Sequence, residues 1–337
     1  MARIKATPIR PGLVVFLGLL SLILMSVLSL AIDKTSIPLG KVLHAIAQPD
    51  MSDIDHILVN TTRLARTAVA IVVGASLAVA GGLMQALTRN PVASPGLFGI
   101  NAGAVFFIVL LTPASGADSI TQVMQLAFIG ATLAGALVLS IGMMRSHNVS
   151  QLRLVLAGIA VTALLSSFTQ TVLIVDQDGL DNILFWIAGS AAGRGLDAVQ
   201  AVSPYLAAVF AGSLLLARHI NILVAGELVA RALGQNTLVI RILLGMIVIV
   251  LAGTAVALAG NIAFIGLIAP HLTRGLLPND FRWLIPGYAI FGALLLLTSD
   301  MLARTLLNPQ EMPLGVVTAC LGAPFFIHLA RRGMRNG

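Results

Sequence analysis

The sequence predicts an all-α polytopic membrane protein. Of its 337 residues, 58% are hydrophobic and only 10% are charged, and the mean hydropathy is +0.99. A soluble domain of this composition could not cover its surface with polar groups. Apolar runs of about 20 residues, the length that crosses a bilayer as a helix, recur along the chain. The abundance of Gly and Ala is typical of closely packed membrane helices.

About ten apolar segments are candidate transmembrane helices. The first follows Arg3, Lys5 and Arg10 and is longer than the core of a cleaved signal peptide, so we expect it to be retained. The third and eighth are short, and several contain Gly or Pro, which predicts broken or tilted helices. No polar linker divides the chain, so we expect one transmembrane domain over residues 1–337. The segments are approximately 13–32, 63–87, 97–112, 122–144, 151–174, 197–217, 238–258, 262–276, 284–306 and 313–331.

The distribution of charge predicts the orientation. With an even number of spans both termini lie on one side, and placing them in the cytoplasm leaves most of the 20 Lys and Arg residues inside. This arrangement satisfies the positive-inside rule. All of the 13 acidic residues except Glu227 and Asp280 then fall outside or near the outer ends of spans. The basic residues predicted to lie outside are Lys34, Lys41, Arg63, Arg66, Arg194 and Arg304.

A faint internal repeat links the two halves of the chain. The segment VGASLAVAGG at 73–82 resembles AGTAVALAGN at 252–261. Chance similarity between Gly- and Ala-rich helices is the alternative explanation. If the repeat is real, its two copies cross the membrane in opposite directions, which is the inverted-repeat plan of many transporters.

The sequence contains no motif for an energy source of its own. The Gly40-Lys41 pair is followed by Val42 and lacks the upstream part of a nucleotide-binding P-loop. The six histidines are scattered and Cys320 is the only cysteine, so we expect no metal site, no disulfide and no bound cofactor. An ion-coupled carrier usually places a carboxylate or histidine deep in the membrane, and Asp300 comes closest to such a position.

The predicted inner loop at 218–241, RHINILVAGELVARALGQNTLVIR, is amphipathic and too polar to span. Gly226 and Gly234 bracket a short helix within it. One interpretation is a helix that lies at the lipid interface. The other is a helix that docks into a groove on a cytoplasmic partner, through which an external ATPase would act on the membrane domain.

From about residue 55 to 332 the chain resembles the FecCD-type permeases. These are the membrane subunits of binding-protein-dependent ABC importers for ferric siderophores, haem and cobalamin. The family has ten spans with both termini inside. Its usual RLPR opening has Ala65 in place of the proline here. The segments that carry the resemblance are RLARTAVAIVVGASLAVAGGLMQALTRNPVASPGLFGINAGA (63–104), LAGIAVTAL (156–164), LFWIAGS (184–190), ARALGQ (230–235), GNIAFIGLIAPHLTR (260–274) and SDMLARTLLNPQEMPLGVVTACLGAPFFIHL (299–329).

The resemblance implies a docking role for three of the outer arginines. Arg63, Arg66 and Arg304 correspond to the arginines that pair with acidic residues on the two lobes of a substrate-binding protein. Exposed arginines form two-point pairs with carboxylates and so orient a partner. The local alternative is that Arg304 pairs with Asp300, one helical turn earlier.

The resemblance also implies residues that work on the cytoplasmic side. The coupling segment maps onto residues 222–237. The gate candidates, where the family narrows its pathway, are Gln151 and Leu152. The coupling positions are Gly226, Glu227, Ala230, Leu233 and Gly234.

The sequence therefore predicts a permease subunit of an ABC importer in the cell (inner) membrane, with no enzymatic activity of its own. A ferric siderophore is the expected substrate, and haem and cobalamin are alternatives. Expected partners are a second permease subunit, identical or closely related, a cytoplasmic ATPase dimer that binds ATP and magnesium, an extracytoplasmic substrate-binding protein and membrane lipid, but no nucleic acid. From other classes, an ion-coupled secondary transporter would need a buried acidic residue. A membrane-embedded enzyme would need a cluster of catalytic residues at one depth, and we find none in the sequence.

Overall fold

The computed structural model describes residues 10–33, 35–50, 52–115, 119–143, 151–175, 188–307 and 310–335. These residues form helices and irregular connections, with no β-strand among them. Seven of the helices are long and apolar enough to cross a membrane, and two shorter apolar helices, Ile100–Pro113 and Leu314–Ile327, accompany them. The predicted all-α membrane class is confirmed.

The helices follow the predicted apolar segments, with ends that differ by a few residues. The second candidate span is longer than predicted, because α3, a π-helical turn and α4 run on as one helix over Ile54–Thr88. The helices are α1 (Pro11–Ala31), α2 (Leu39–Ala47), α3 (Ile54–Leu58), the π-helical turn Val59–Arg63, α4 (Leu64–Thr88), the 3-10 turn Pro95–Phe98, α5 (Ile100–Ser115), α6 (Ile120–Met143), α7 (Gln151–Val175), α8 (Leu196–Leu215), α9 (Ala217–Ala225), α10 (Glu227–Ala232), α11 (Thr237–Ala259), α12 (Ile265–Leu276), α13 (Phe281–Thr305) and α14 (Leu314–Arg335).

The helices at the predicted third and eighth segments, α5 and α12, have 16 and 12 residues. At 1.5 Å per residue, α12 is about 18 Å long and α5 about 24 Å, both less than the roughly 30 Å of bilayer hydrocarbon. Each begins after irregular backbone: Gly99 precedes α5 with a φ of 68°, and Phe264 precedes α12 with a φ of 67°. Side chains join the two breaks, because Asn101 Nδ2 donates a hydrogen bond to Asn261 Oδ1. Such breaks are tolerated at membrane depth where protein surrounds them.

Three helices form the centre of the bundle. In their most apolar stretches, 78% of residues are buried in the helix that contains α4, 72% in α11 and 61% in α13. By contrast, only 17% of the corresponding residues of α1 are buried. Helix α4 packs against α11, α12 and α13. Helix α4 is therefore the central helix of the bundle.

Glycines bring α4 into backbone contact with its neighbours. A Cβ added to Gly74 would overlap the carbonyl oxygen of Gly292 in α13. A Cβ on Gly81 would overlap the carbonyl oxygen of Gly266 in α12. Small residues at helix interfaces allow this close approach. Within a bilayer the hydrophobic effect does not drive helices together, so van der Waals contact between closely packed helices stabilises the bundle instead.

Candidate functional site

The end of the bundle predicted to be extracytoplasmic, here called the outer end, carries an alternating chain of ion pairs. Asp33 Oδ2 lies 3.7 Å from Arg63 Nε and 3.5 Å from Arg304 Nη1. Arg304 Nη2 lies 3.0 Å from Asp300 Oδ2, whose other oxygen lies 2.9 Å from Arg66 Nη2. Arg66 Nη1 then lies 2.9 Å from Glu311 Oε2. We call these six residues the outer arginine chain: Arg63, Arg66, Arg304, Asp33, Asp300 and Glu311.

Two of the three arginines also bind the last turn of α1. Arg63 donates hydrogen bonds to the carbonyl oxygens of Leu30 at 2.8 Å and Ala31 at 3.1 Å. Arg304 donates to the carbonyl of Ser29 at 3.2 Å and to its hydroxyl at 2.7 Å. The last carbonyls of a helix have no partner within the helix and carry its negative dipole end. Arg63 and Arg304 therefore hold the end of α1 against α4 and α13.

The structure corrects one premise of the docking prediction, the exposure of these arginines. Arg63 is 3% exposed, Arg66 7% and Arg304 0%. The reason is that each guanidinium is enclosed by carboxylates or carbonyls of its own chain. The local alternative for Arg304 is present, since it pairs with Asp300. The docking role of the three residues remains a prediction.

Arg66 differs from the other two arginines in how it is held. Its Nε donates to Asp300 Oδ1 at 2.9 Å and Oδ2 at 3.2 Å, on the buried side. Its Nη1 donates to Glu311, which lies in the connection between α13 and α14. Ala65 continues the helix into this position, so the departure from the family opening leaves the helix intact.

Two more exposed ion pairs lie at the outer end, between α2 and the start of α3. Lys41 contacts Asp53 and Asp55. Its hydrogen bonds to these carboxylates raise the pKa of Lys41, and the hydrogen bond from Lys41 lowers the pKa of Asp53.

Arg194 lies outside both groups of ion pairs. Burial lowers the pKa of its guanidinium to about 10, and its Nε donates to the carbonyl of Leu258 at 2.8 Å.

At the opposite end, here called the inner end, α9 and α10 form a platform. Gly226 separates them with a φ of 143°, and Gly234 follows α10 with a φ of 75°. These backbone angles are ones that L side chains rarely adopt, so glycine suits both corners. The platform therefore contains the short helix that the sequence places between Gly226 and Gly234.

Four polar contacts, here called the inner contacts, join this platform to the three central helices. Arg89, just after α4, donates from Nη2 to the carbonyl of Leu223 at 2.8 Å. Asn221 donates to Asp280 Oδ1 at 2.7 Å and accepts from the backbone N–H of Phe281 at 3.0 Å, at the start of α13. Glu227 Oε2 lies 3.1 Å from Arg241 Nη2 in α11.

Asp280 is the cap of α13 as well as the partner of Asn221. It accepts from the N–H of Arg282 at 3.0 Å. This backbone hydrogen bond is the largest cause of the lowered pKa of Asp280, and the hydrogen bond from Asn221 is the next largest. The carboxylate is therefore ionised at neutral pH, where it supports both contacts.

The remaining predicted coupling residues divide into a buried and an exposed group. Ala230 is fully buried, whereas Leu233 is 65% exposed. Next to them Leu228 is 85% exposed. Glu227 also pairs with Arg231 one turn later, at 2.7 Å. The short helix thus presents apolar side chains away from the chain itself.

The gate candidates lie at the start of α7. Gln151 is its first residue, and Leu152 is 68% exposed. Within the described part of the chain, no three His, Cys, Asp or Glu residues come together as a metal site would need.

Comparison with known proteins identifies what this arrangement resembles. The model of the FecCD transport family matches residues 21–332. The probable siderophore transport system permease protein YfiZ of Bacillus subtilis (strain 168) is 46% identical over 281 residues, 83% of this chain and 84% of that protein. The ferric enterobactin transport system permease protein FepD of Escherichia coli (strain K12) is 39% identical over 327 residues, 97% of this chain and 96% of that protein.

A solved structure matches the fold. It is an inward-facing ABC transporter described as of metal-chelate type, with a TM-score of 0.83 and 27% identity. The match covers 95% of this chain and 99% of that one.

Proposed function

Because the chain belongs to the FecCD transport family, we propose that it is the transmembrane permease subunit of an ABC importer for an iron chelate, with a ferric siderophore as the first candidate. The observation that carries this proposal is the family match over residues 21–332, which includes both the outer arginine chain and the inner platform. The chain is a multi-pass integral membrane protein of the cell membrane. Haem and cobalamin are the alternative substrates within the family.

The proposed topology has ten spans with both termini in the cytoplasm and an inverted repeat. Seven long and two shorter apolar helices support the number, and the tenth segment is the 12-residue α12. The two breaks, before α5 and before α12, support the repeat because each precedes a short helix. One transmembrane domain would comprise the whole chain.

At the outer end we propose that a loaded substrate-binding protein docks on the outer arginine chain. Arg63 and Arg304 hold the end of α1 and so shape this surface. Arg66 is the direct contact with the binding protein, because its Nη1 already binds a carboxylate, that of Glu311, on its outward side. Arginine–carboxylate pairs orient partners and accelerate their capture.

At the inner end we propose that residues 222–237, which overlap the platform and reach the start of α11, couple the permease to a cytoplasmic ATPase dimer. Leu228 and Leu233 would enter a groove on the ATPase, Gly226 and Gly234 set the angle of α10, and buried Ala230 fixes it to the chain. ATP and magnesium would bind the ATPase, and this chain would hold no cofactor. Alternating access then requires two states that differ in affinity for the partners.

We place a second permease subunit, identical or closely related, opposite the start of α7. The side chain of Leu152 points away from its own chain, so a gate that it forms requires a surface supplied from outside. Gln151 would be the second gate residue. The remaining exposed apolar surface faces lipid.

The proposal is tested by uptake of a radiolabelled ferric siderophore in cells that lack this gene. Complementation with the wild type is expected to restore uptake, and a Leu228→Asp/Leu233→Asp variant is expected to abolish it while inserting normally. The control is Leu215→Asn, at a residue that is 80% exposed but outside the platform. Candidate binding proteins are co-expressed in turn to find the one that supports uptake.

The outcomes separate the alternatives. If wild type transports labelled haem or cobalamin instead, the assignment as an importer is kept and the siderophore is rejected as the substrate. If uptake needs no binding protein and no ATPase but collapses with the proton or sodium gradient, the chain is a secondary carrier.

A further inference from the structure

Glu311 is the most exposed of the three carboxylates in the outer arginine chain. Its side chain is 29% exposed, against 18% for Asp33 and 0% for Asp300. It lies outside the helices, between α13 and α14, whereas Asp300 lies within α13. The outer arginine chain therefore ends at the surface, in the carboxylate of Glu311.

The geometry of Arg66 separates an inner from an outer carboxylate site. Asp300 engages its Nε and Nη2 on the buried side, and Glu311 engages Nη1. A carboxylate from outside the molecule could replace Glu311 at Nη1 without disturbing Asp300. The exchange would keep Arg66 paired, so the charge would not be left buried and uncompensated.

We propose that Glu311 is a displaceable internal carboxylate, which occupies Arg66 until an acidic side chain of the docked binding protein takes its place. This inference rests on the proposed function, because it requires docking on Arg66. It also explains how an arginine that is only 7% exposed takes part in docking. The partner does not need an exposed guanidinium, because it replaces a carboxylate that is itself at the surface.

Displacement of Glu311 would also affect the start of α14. The next residue, Met312, donates its N–H to the carbonyl of Ala303 at 3.0 Å, and Leu314 donates to the carbonyl of Gly189 at 2.9 Å. Release of Glu311 therefore loosens the segment that anchors the start of α14. By linkage, any state of the transporter that favours release of Glu311 binds the docked partner more tightly, and docking of the partner in turn favours that state.

The test is the affinity between the assembled transporter in lipid nanodiscs and the loaded binding protein that supports uptake, measured by biolayer interferometry. Glu311→Gln keeps the shape of the side chain and removes the competing charge. We expect it to tighten binding by about fivefold or more, the lower range of allosteric coupling factors. Arg66→Gln is expected to weaken binding of the same partner.

The matched control is Asp53→Asn. This residue is an outer carboxylate of similar exposure that pairs with Lys41 and lies outside the outer arginine chain. It reports how much binding to an acidic partner improves when one negative charge is removed from the surface. A gain for Glu311→Gln no larger than that for Asp53→Asn overturns the proposal, and so does weaker binding.

The outcomes distinguish this inference from the docking proposal. If Arg66→Gln binds as well as wild type, docking on Arg66 fails and the inference fails with it. If Arg66→Gln weakens binding but Glu311→Gln has no effect, only the inference fails. A Glu311→Gln chain that does not fold shows a structural carboxylate that cannot be displaced, and this also overturns the inference.

Discussion

Asp300 in α13 holds Arg66 of α4 by contacts to two of its guanidinium nitrogens, across 234 positions of sequence. The same carboxylate pairs with Arg304 one turn further along α13. Its side chain is fully buried. Asp300 is therefore the central residue of the outer arginine chain, because two arginines depend on its charge.

We expect Asp300→Asn to destabilise the protein strongly. The substitution leaves two buried guanidinium groups short of a carboxylate, and breaking a buried ion pair typically costs about 3–5 kcal/mol. The measurement is thermal unfolding in detergent. Lys41→Met serves as the control, since exposed ion pairs contribute little to stability. Equal, small effects of the two substitutions would contradict this role of Asp300.

The contact between Gly81 and Gly266 predicts that a single methyl group is not tolerated. In a Gly81→Ala variant the added Cβ would overlap the backbone of α12, so the two helices must separate, and overpacking costs about 1–3 kcal/mol. Gly212→Ala is the matched control, because this helical glycine of α8 has nothing within 4 Å of an added Cβ. Unfolding temperatures of the two variants are compared. The interpretation fails if Gly81→Ala is as stable as Gly212→Ala.

The inner contacts predict a variant in which ATP hydrolysis and transport are uncoupled. Asn221→Ala removes both hydrogen bonds to the start of α13 but leaves the exposed face of α10 unchanged. We expect the assembled transporter to retain ATPase activity while uptake falls about tenfold, equivalent to about 1.4 kcal/mol. Both rates are measured in proteoliposomes.

Asn236→Ala is the control for this variant, because Asn236 caps a different central helix, α11, by accepting from the N–H of Val239. A parallel loss of ATPase activity and uptake in Asn221→Ala would instead indicate that the platform no longer binds the ATPase.

The lowered pKa of Asp280 predicts a dependence on pH. A carboxylate whose pKa is lower in the folded state adds stability above its unfolded pKa of about 3.9 and loses it as the pH falls through the folded value. Wild type should therefore lose stability on acidification below about pH 4 relative to Asp280→Asn. Unfolding temperatures across pH 3–7 give the comparison, and parallel curves for the two proteins would refute it.

The sequence predicts the positions of the helices well, because apolar length and hydrophobic content determine them locally. The extension of the second span to Ile54 was missed, since the polar residues before Arg63 look like a loop. The pairing of Arg304 with Asp300 follows from helical spacing. The contacts of Arg66 with Asp300 and Glu311 do not, because they depend on how distant helices pack.

The sequence also places Arg63, Arg66 and Arg304 at one end without showing their burial. Nothing local indicates that the last carbonyls of α1 lie within reach of Arg63 and Arg304. Such contacts become visible only when α1, α4 and α13 are assembled. The inner contacts of Arg89 and Asn221 are of the same kind, since Arg89 lies 134 positions from Leu223 and Asn221 lies 59 positions from Asp280.

The glycine contacts of α4 have a mechanical consequence. Helices that meet backbone to backbone leave no side chains between them to rearrange, so α4, α12 and α13 should move as one rigid body. Helix α7 is different, because only 28% of its most apolar stretch is buried. Motion during a transport cycle is therefore expected in less buried helices such as α7, with the α4 assembly as the fixed frame.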